Sequence, residues 1–141
     1  MIINRRRSAI AGVAVVIALM LVFTSCSTRS AAPGILMGQV TIGPLQPVER
    51  PGVNPPVPPE VFSSRKIMVY DERGKKLIAE VSIEQVDQSA TGRYHVTLKP
   101  GKYTVDINHV GIDRSGNVPR VVQIESGQTL VLDIDIDTGI R

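Results

Sequence analysis

The feature of this sequence that most restricts its fold is the alternation of apolar and polar residues from residue 34 onward. Between Leu132 and Asp137, leucine or isoleucine alternates with aspartate. Successive side chains of a strand point to opposite faces, so this pattern predicts a strand with one buried and one solvated face. Similar segments recur along the chain, separated by turn sequences such as DERGK, KPGK and ESGQ. The predicted strands are 35–42, 66–70, 76–84, 92–99, 102–108, 118–124 and 129–137.

These segments predict the fold class. Seven short strands, with no stretch of helical periodicity after residue 33, are typical of an all-β protein. Their spacing predicts a seven-stranded antiparallel sandwich with Greek-key connections. We expect this domain to extend over residues 34–141 and to be preceded by an N-terminal signal-peptide helix.

The N-terminal segment has three parts of different polarity. Residues 5–7 are consecutive arginines, residues 9–23 carry no charge, and residues 24–25 lead to Cys26, the only cysteine of the chain. A basic region, a short apolar region and a small-residue exit are typical of a secretory signal peptide. An uncleaved anchor helix with an incidental cysteine is the alternative, but the apolar run is shorter than the about 20 residues that a spanning helix needs.

The end of this segment resembles the signal of bacterial lipoproteins. In such signals a short box ends in a small residue and an invariant cysteine, and FTSC (residues 23–26) stands at that position here. The resemblance implies a diacylglyceryl group on the sulfur of Cys26 and cleavage before this residue. Two or three acyl chains give a stable anchor where one does not. We therefore expect a signal peptide over 1–25, a tether over 26–33 and a location in the bacterial cell envelope, lipid-anchored on the extracytoplasmic side of a membrane.

The net positive charge belongs to the targeting segment. The chain has 16 basic and 13 acidic residues, and removal of residues 5–7 leaves 13 of each. Nucleic-acid binding would need a basic domain, so no nucleic-acid partner is expected. The expected partners are the membrane, through the lipid anchor, and a protein of the cell envelope.

The clearest turn is Pro100-Gly101. Proline pre-sets the backbone angle of the first central turn position, and glycine tolerates the positive φ of the second. The sequence therefore predicts a hairpin between the strands on either side of this turn. Its buried face would pair Tyr94 with Ile107, Val96 with Val105 and Leu98 with Tyr103, and its solvated face would pair His95 with Asp106 and Thr97 with Thr104.

This hairpin and the last strands resemble a known family. The sequences TGRYHVTLKPGKYTVDI (91–107) and VVQIESGQTLVLDIDID (121–137) are similar to the carboxypeptidase regulatory-like domain of the transthyretin-like group. In that group a glycine, an aromatic strand, a Pro-Gly turn and a second aromatic strand recur. The resemblance implies a seven-stranded sandwich that is fused to, or displayed by, another element. It implies little about function, since one fold hosts many functions.

One segment interrupts the alternation. Residues 43–65 hold seven of the ten prolines of the chain. Proline cannot donate a ladder hydrogen bond, so this segment predicts an extended, stiff loop between the first two strands. Loops on a rigid sandwich are common recognition sites, and this proline-rich loop is the largest here.

Two histidines are candidate chemical groups. His95 would lie across from Asp106 as a polar cross-strand pair, and a pH-sensing role is the alternative. His109 has no second histidine or cysteine at metal-ligand spacing, so a zinc site is not expected.

A row of carboxylates is the third candidate. Asp133, Asp135 and Asp137 alternate with apolar residues and would share one face of a strand. The simplest interpretation is the solvated side of a sandwich strand. A calcium site is the alternative, and it would need further oxygen ligands from a loop.

The expected function is a non-catalytic binding or scaffolding module, with no catalytic residue, cofactor or metal. The alternative is a small extracytoplasmic hydrolase of the transthyretin-like (hydroxyisourate hydrolase) type. Those enzymes resemble one another in a histidine and arginine site and in a C-terminal Tyr-Arg-Gly-Ser sequence, whereas this chain ends in DTGIR. A pocket that collects His95 or His109 with Arg93 or Arg120 would favour the enzyme, and a closed sandwich with no pocket would favour the binding module.

Overall fold

The alternating segments form two β-sheets in the computed structural model, which describes residues 30–47, 52 and 55–141. One helical turn, α1 (Glu60–Ser63), lies in the proline-rich loop. The strands in chain order are β1 (Gly34–Gly43), β2 (Lys66–Asp71), β3 (Leu77–Ser82), β4 (Glu84–Gln85), β5 (Thr91–Leu98), β6 (Gly101–Ile107), β7 (Arg120–Ile124), β8 (Thr129–Val131) and β9 (Ile134–Asp137).

The two sheets form a sandwich, which confirms the predicted fold class. The first sheet has the order β4-β5-β1, with β8 and β9 both paired to the free side of β1, and the second has the order β3-β2-β6-β7. Most pairs are antiparallel, but β8 and β9 run parallel to β1. The third and seventh predicted strands are each divided, so the described residues form nine strands instead of the seven predicted.

Alternating side chains of both sheets fill the space between them. In β1 the even-numbered apolar residues are buried, and β9 buries its isoleucines in the same way. A continuous apolar core between opposing sheets is the main stabilising contribution in a fold of this kind. The largest side chains of this core are Tyr94, Phe62, Leu36, Ile42, Ile67, Ile124, Ile134 and Ile136.

The predicted hairpin at Pro100-Gly101 is wrong. Strand β5 pairs with β1 and β4, and β6 pairs with β2 and β7, so the two strands belong to different sheets. The chain turns a corner at Lys99 and crosses from one sheet to the other. The buried face was predicted correctly, because Tyr94 and Ile107 both enter the core, but they do so from opposite sheets. Alternation gives the face of each strand and does not specify its neighbour.

The break between β8 and β9 lies against Gly38 of β1. A Cβ atom on Gly38 would lie 1.9 Å from the carbonyl oxygen of Leu132, so only glycine permits this approach. That carbonyl accepts a hydrogen bond from the hydroxyl of Tyr94 at 2.7 Å. Next to it, the backbone N–H of Gln39 donates to Oδ1 of Asp133 at 2.8 Å. The side chains of Tyr94 and Asp133 therefore satisfy backbone groups that the interrupted ladder leaves free.

The sandwich has two ends that the chain uses differently. The N-terminal chain arrives at the first, the tether end, where Ser126 Oγ donates to Ala32 O at 3.0 Å and Gly127 N donates to Pro33 O at 3.3 Å. The turns at 71–76, 99–100 and 125–128 lie at this end. The second, the distal end, carries the proline-rich loop, the β6–β7 loop and the C-terminal residues.

Candidate functional site

A cavity of about 520 Å³ opens at the distal end. This volume lies in the range of about 300–1,000 Å³ that is typical of ligand-binding sites. Most of the residues that line the cavity are apolar. Residues 48–51 and 53–54 of the proline-rich loop lie outside the described residues. The lining consists of Leu45, Gln46, Pro55, Pro56, Val57, Pro58, Val61 and Arg65 from the proline-rich loop, Val110, Gly111, Ile112 and Asp113 from the β6–β7 loop, and Thr138 and Ile140.

The second half of the proline-rich loop is held by the core. Phe62, on α1, is 2% exposed and packs beneath Gly92, where a Cβ atom would lie 2.7 Å from its ring. The N–H of Val57 donates to Gln88 O at 2.8 Å, and its carbonyl accepts from Gln85 Nε2 at 2.8 Å. The prediction of an extended loop is therefore wrong at α1. Pro58 and Pro59, which directly precede this helix, favour a helical first turn, and the buried Phe62 anchors it.

A buried ion pair forms one wall of the cavity. Arg65 Nε donates to Asp113 Oδ2 at 2.6 Å, and Nη2 donates to Oδ1 at 3.0 Å. The third nitrogen, Nη1, donates to Val61 O at 2.8 Å. The side chains of Arg65 and Asp113 are only 13% and 4% exposed, so the two-bond geometry is shielded from water. This pair fixes the end of α1 against the β6–β7 loop.

The C-terminal residues form another wall. Arg114 and Asp137 exchange two backbone hydrogen bonds, at 2.9 and 2.7 Å, which join the β6–β7 loop to the end of β9. Thr138 N donates to Gly43 O at 3.2 Å, and its hydroxyl donates to Pro44 O. The start of the proline-rich loop, the β6–β7 loop and the C-terminal residues are thus connected through the backbone, which makes the cavity a preformed one.

His109 takes the place that was predicted for His95. The predicted pair of His95 with Asp106 is wrong, because His95 pairs with Met37 in the first sheet and Asp106 belongs to the second. Instead, His109 Nε2 lies 3.3 Å from Asp106 Oδ1, and its Nδ1 lies 3.2 Å from the carbonyl oxygen of Asp113. The hydrogen bond to the Asp113 carbonyl, followed by the one to Asp106, raises the pKa of His109 above its ordinary value of 6.5.

The three aspartates of the last strand face solvent, as predicted, but they have separate contacts. Asp133 accepts the N–H of Gln39, and Asp135 is exposed. Asp137 Oδ2 accepts from Arg141 Nη2 at 2.8 Å, and this hydrogen bond, together with the one from the Gly139 N–H to Oδ1, lowers the pKa of Asp137 to about 2. Within residues 30–47, 52 and 55–141, no group of three or more histidine, cysteine or acidic side chains is placed to hold a metal ion.

The histidine and arginine residues named for the enzyme alternative do not meet in the cavity. His95 and Arg93 lie on the exposed face of β5, and Arg120 is exposed at the start of β7. These three residues and His109 are all missing from the cavity lining. In the described part of the chain, the pocket that a hydrolase of this kind would need is therefore not found. The sandwich is not closed either, because the cavity opens at the distal end, so this criterion does not by itself decide between the enzyme and the binding module. The absence of catalysis stays a prediction.

Sequence reasoning did not single out the Arg65–Asp113 pair. The two residues are 48 positions apart, and each lies in a loop where no periodic pattern marks it. A charged residue directly before a strand is common, so Arg65 carries no local signal. Only the folded chain brings these two residues together.

The predictions about the anchor concern residues outside the described ranges. The signal peptide over 1–25 and the lipid attachment at Cys26 both stay predictions. In the described ranges, no helix has the length and apolarity needed to cross a membrane.

No family model matches the chain, and no curated protein matches it. Among solved structures, the chain is similar to GBS52, the minor pilin of the Gram-positive pathogen Streptococcus agalactiae. The sequence identity is 15%, the TM-score is 0.43, and the match covers 76% of this chain and 45% of that one.

A second similar structure is a DUF3823 family protein from Parabacteroides merdae. Here the identity is 20%, the TM-score is 0.35, and the match covers 75% of this chain and 46% of that one. The chain thus spans less than half the length of both proteins. What is established is a β-sandwich domain, which rests on the two sheets themselves, and the carboxypeptidase regulatory-like resemblance stays a prediction.

Proposed function

We propose that this protein is a lipoprotein of the bacterial cell envelope whose β-sandwich acts as a non-catalytic binding module. Cys26 carries the lipid, the tether joins the membrane to one end of the sandwich, and the cavity at the other end contacts a protein partner. The observation that carries this proposal is that Ala32 and Pro33, where the chain enters the sandwich, and the cavity lie at opposite ends of the domain.

The distance between the two ends supports a display role. Strand β1 begins at the tether end and runs for ten residues to the distal end. At about 3.3 Å per residue, it separates the two ends by about 30 Å. A partner could therefore reach the cavity without approaching the membrane surface.

The rim of the cavity supports a protein as the partner. Ile112 is 67% exposed and Ile140 is 37% exposed, and both line the cavity. Large apolar side chains around a concave site are typical of surfaces that bury apolar groups of another protein. The buried pair of Arg65 and Asp113 is already neutralised and does not require a charged ligand.

The anchor is tested by metabolic labelling with a fatty-acid analogue in intact bacteria. Wild type should take up the label, and Cys26→Ala should take up none, because the thiol is the only site for the diacylglyceryl group. Equal labelling of the two proteins would contradict the lipid anchor.

The binding surface is tested by crosslinking in intact bacteria. A photoactivatable amino acid at Ile112 or at Ile140 should yield one discrete adduct with an envelope protein, identified by mass spectrometry. The matched control is Val121, which is 56% exposed on β7 and lies away from the cavity. Adducts of the same protein from all three positions would contradict a binding site at the cavity.

A further inference from the structure

The tether end carries an excess of positive charge. The strand ends and turns there present more basic than acidic side chains, all of the basic ones exposed. The basic residues, which together define the tether-end surface, are Arg73, Lys75, Lys76, Lys99 and Lys102, and the acidic residues of the same end are Asp71, Glu72 and Glu125.

Two of these carboxylates are already engaged. Asp71 Oδ1 accepts the backbone N–H groups of Lys75 at 2.8 Å and Lys76 at 3.2 Å, which closes the β2–β3 turn. Glu72 lies 3.3 Å from Lys102 Nζ. Among the described residues, the other four cations of the surface have no carboxylate within ion-pair distance. Their charge is therefore available to a partner.

The rest of the domain has the opposite balance. Outside the tether end, residues 31–141 contain ten acidic residues and seven basic ones. The net charge of residues 31–141 as a whole is near zero, but it is the sum of a positive tether end and a more acidic remainder. Such a distribution orients a protein in front of a negatively charged surface.

Exposed apolar side chains lie beside the cations. Leu77 is 45% exposed and Ile78 is 44% exposed, and both follow Lys75 and Lys76 directly on the edge strand β3. Basic side chains next to exposed apolar ones are the combination by which peripheral proteins contact the headgroup region of a bilayer.

The tether limits how far this end can lie from the membrane. Five residues, and so six Cα–Cα steps, lie between Cys26 and Ala32, which is held at the tether end by Ser126. A fully extended chain of this length spans about 20 Å. This step rests on the proposed lipid anchor, and it keeps the positive end next to the lipid headgroups.

We propose that the tether-end surface, together with Leu77 and Ile78, docks on anionic phospholipid headgroups of the membrane that anchors the protein. Docking orients the sandwich so that its tether end faces the membrane and its distal cavity faces away from it.

Vesicle co-sedimentation of the unlipidated chain tests this surface without the anchor. The chain beginning at residue 26, with Cys26→Ser, should bind phosphatidylcholine vesicles that contain phosphatidylglycerol and should not bind pure phosphatidylcholine. Binding should decrease as salt rises, since counterions screen the attraction. Equal binding to both vesicle types, or no binding at low salt, would overturn the proposal.

A matched pair of triple variants locates the binding surface. Each variant loses three exposed positive charges, so their net charges are identical, and circular dichroism and urea unfolding check that both are folded. Loss of three cations from the tether-end surface should lower the vesicle–water partition coefficient by about 100-fold. Loss of three cations from the distal end should change this coefficient by about twofold at most. The first variant is Lys75→Gln, Lys76→Gln and Lys99→Gln, and the control is Arg93→Gln, Arg114→Gln and Arg120→Gln.

The outcomes separate this inference from the proposed function. Equal losses in the two triple variants would show that net charge alone drives binding, and the docking surface would be wrong. If Cys26 takes the lipid label but the unlipidated chain ignores anionic vesicles, the anchor stands and the docking fails. If the vesicles bind but Cys26 takes no label, the docking surface stands and the lipoprotein assignment fails.

Discussion

Replacement of Gly38 by alanine should destabilise the sandwich strongly. The new Cβ would lie 1.9 Å from Leu132 O, whereas Cβ atoms in proteins essentially never come closer than 3.0 Å to such an atom. The connection between β8 and β9 would therefore have to move by about 1 Å or more. Three hydrogen bonds join this connection to β1 and β5 and would be lost or lengthened: Leu132 N to Met37 O, Tyr94 Oη to Leu132 O, and Gln39 N to Asp133 Oδ1.

The expected cost follows from these three bonds. Each neutral bond contributes about 1 kcal/mol net, and the bond to the Asp133 carboxylate contributes about 1.5–3 kcal/mol. Alanine restricts the unfolded chain more than glycine does, which offsets about 0.4–1 kcal/mol. The net loss in the free energy of unfolding is about 2.5–4.5 kcal/mol, a large fraction of the about 5–15 kcal/mol that is typical of a domain.

Urea unfolding of the unlipidated chain, followed by circular dichroism, measures this loss. The midpoint for Gly38→Ala should fall by about 1–2 M, given the usual slope for a small domain. The control is Gly116→Ala, the same chemical change at a glycine with open space around its Cβ position and no positive φ, which should leave the midpoint nearly unchanged. If both variants unfold at the same urea concentration, the close approach of Leu132 to β1 does not exist in the folded protein.

Two further predictions concern the distal end. Asp113→Ala should lower the free energy of unfolding by about 3–5 kcal/mol in the same urea assay, because it leaves the guanidinium of Arg65 buried without its partner. Asp137→Ala breaks an exposed pair and should lower it far less. Similar losses in the two variants would contradict the burial argument. The NMR titration midpoint of His109 should lie above 6.5 and should fall in Asp106→Asn, because an amide cannot stabilise the imidazolium as a carboxylate does. Since the folded-state pKa of His109 is raised, its protonation stabilises the folded state fully below pH 6.5. This contribution is lost as the pH rises through the higher, folded-state pKa. An unshifted midpoint in Asp106→Asn would remove Asp106 as a cause.

The strand positions could be predicted from the sequence because a half-buried strand requires period-two alternation. The prediction for the first strand, 35–42, agrees with β1 (Gly34–Gly43) to within one residue at each end. The neighbours of each strand could not be predicted. A Pro-Gly turn suits a tight hairpin and also suits the corner by which β5 leads into β6 of the other sheet. Alternation is identical in the two arrangements, since the same side chains are buried in both.

For the row of aspartates, too, the sequence predicts the face on which the side chains lie but not the groups that they contact. Alternation placed Asp133, Asp135 and Asp137 on the solvated face, and the structure agrees. The separate uses of these carboxylates, one for a backbone N–H of β1 and another for Arg141, depend on contacts with residues that the pattern does not identify. The pairing of a side chain with a distant backbone group is a tertiary property.

By itself, the sequence determined the all-β class, the buried face of each strand and the position of the proline-rich loop, because each of these follows from local periodicity and backbone chemistry. Only the tertiary structure decided that Arg65 meets Asp113 beside a cavity, that Gly38 lies beneath Leu132, and that residues 32–33 and the cavity occupy opposite ends of the sandwich. It also decided that a nearly charge-balanced domain carries an excess of positive charge at one end and an excess of negative charge elsewhere. These properties arise from contacts between residues far apart in the chain, and no local pattern encodes which distant segments become neighbours.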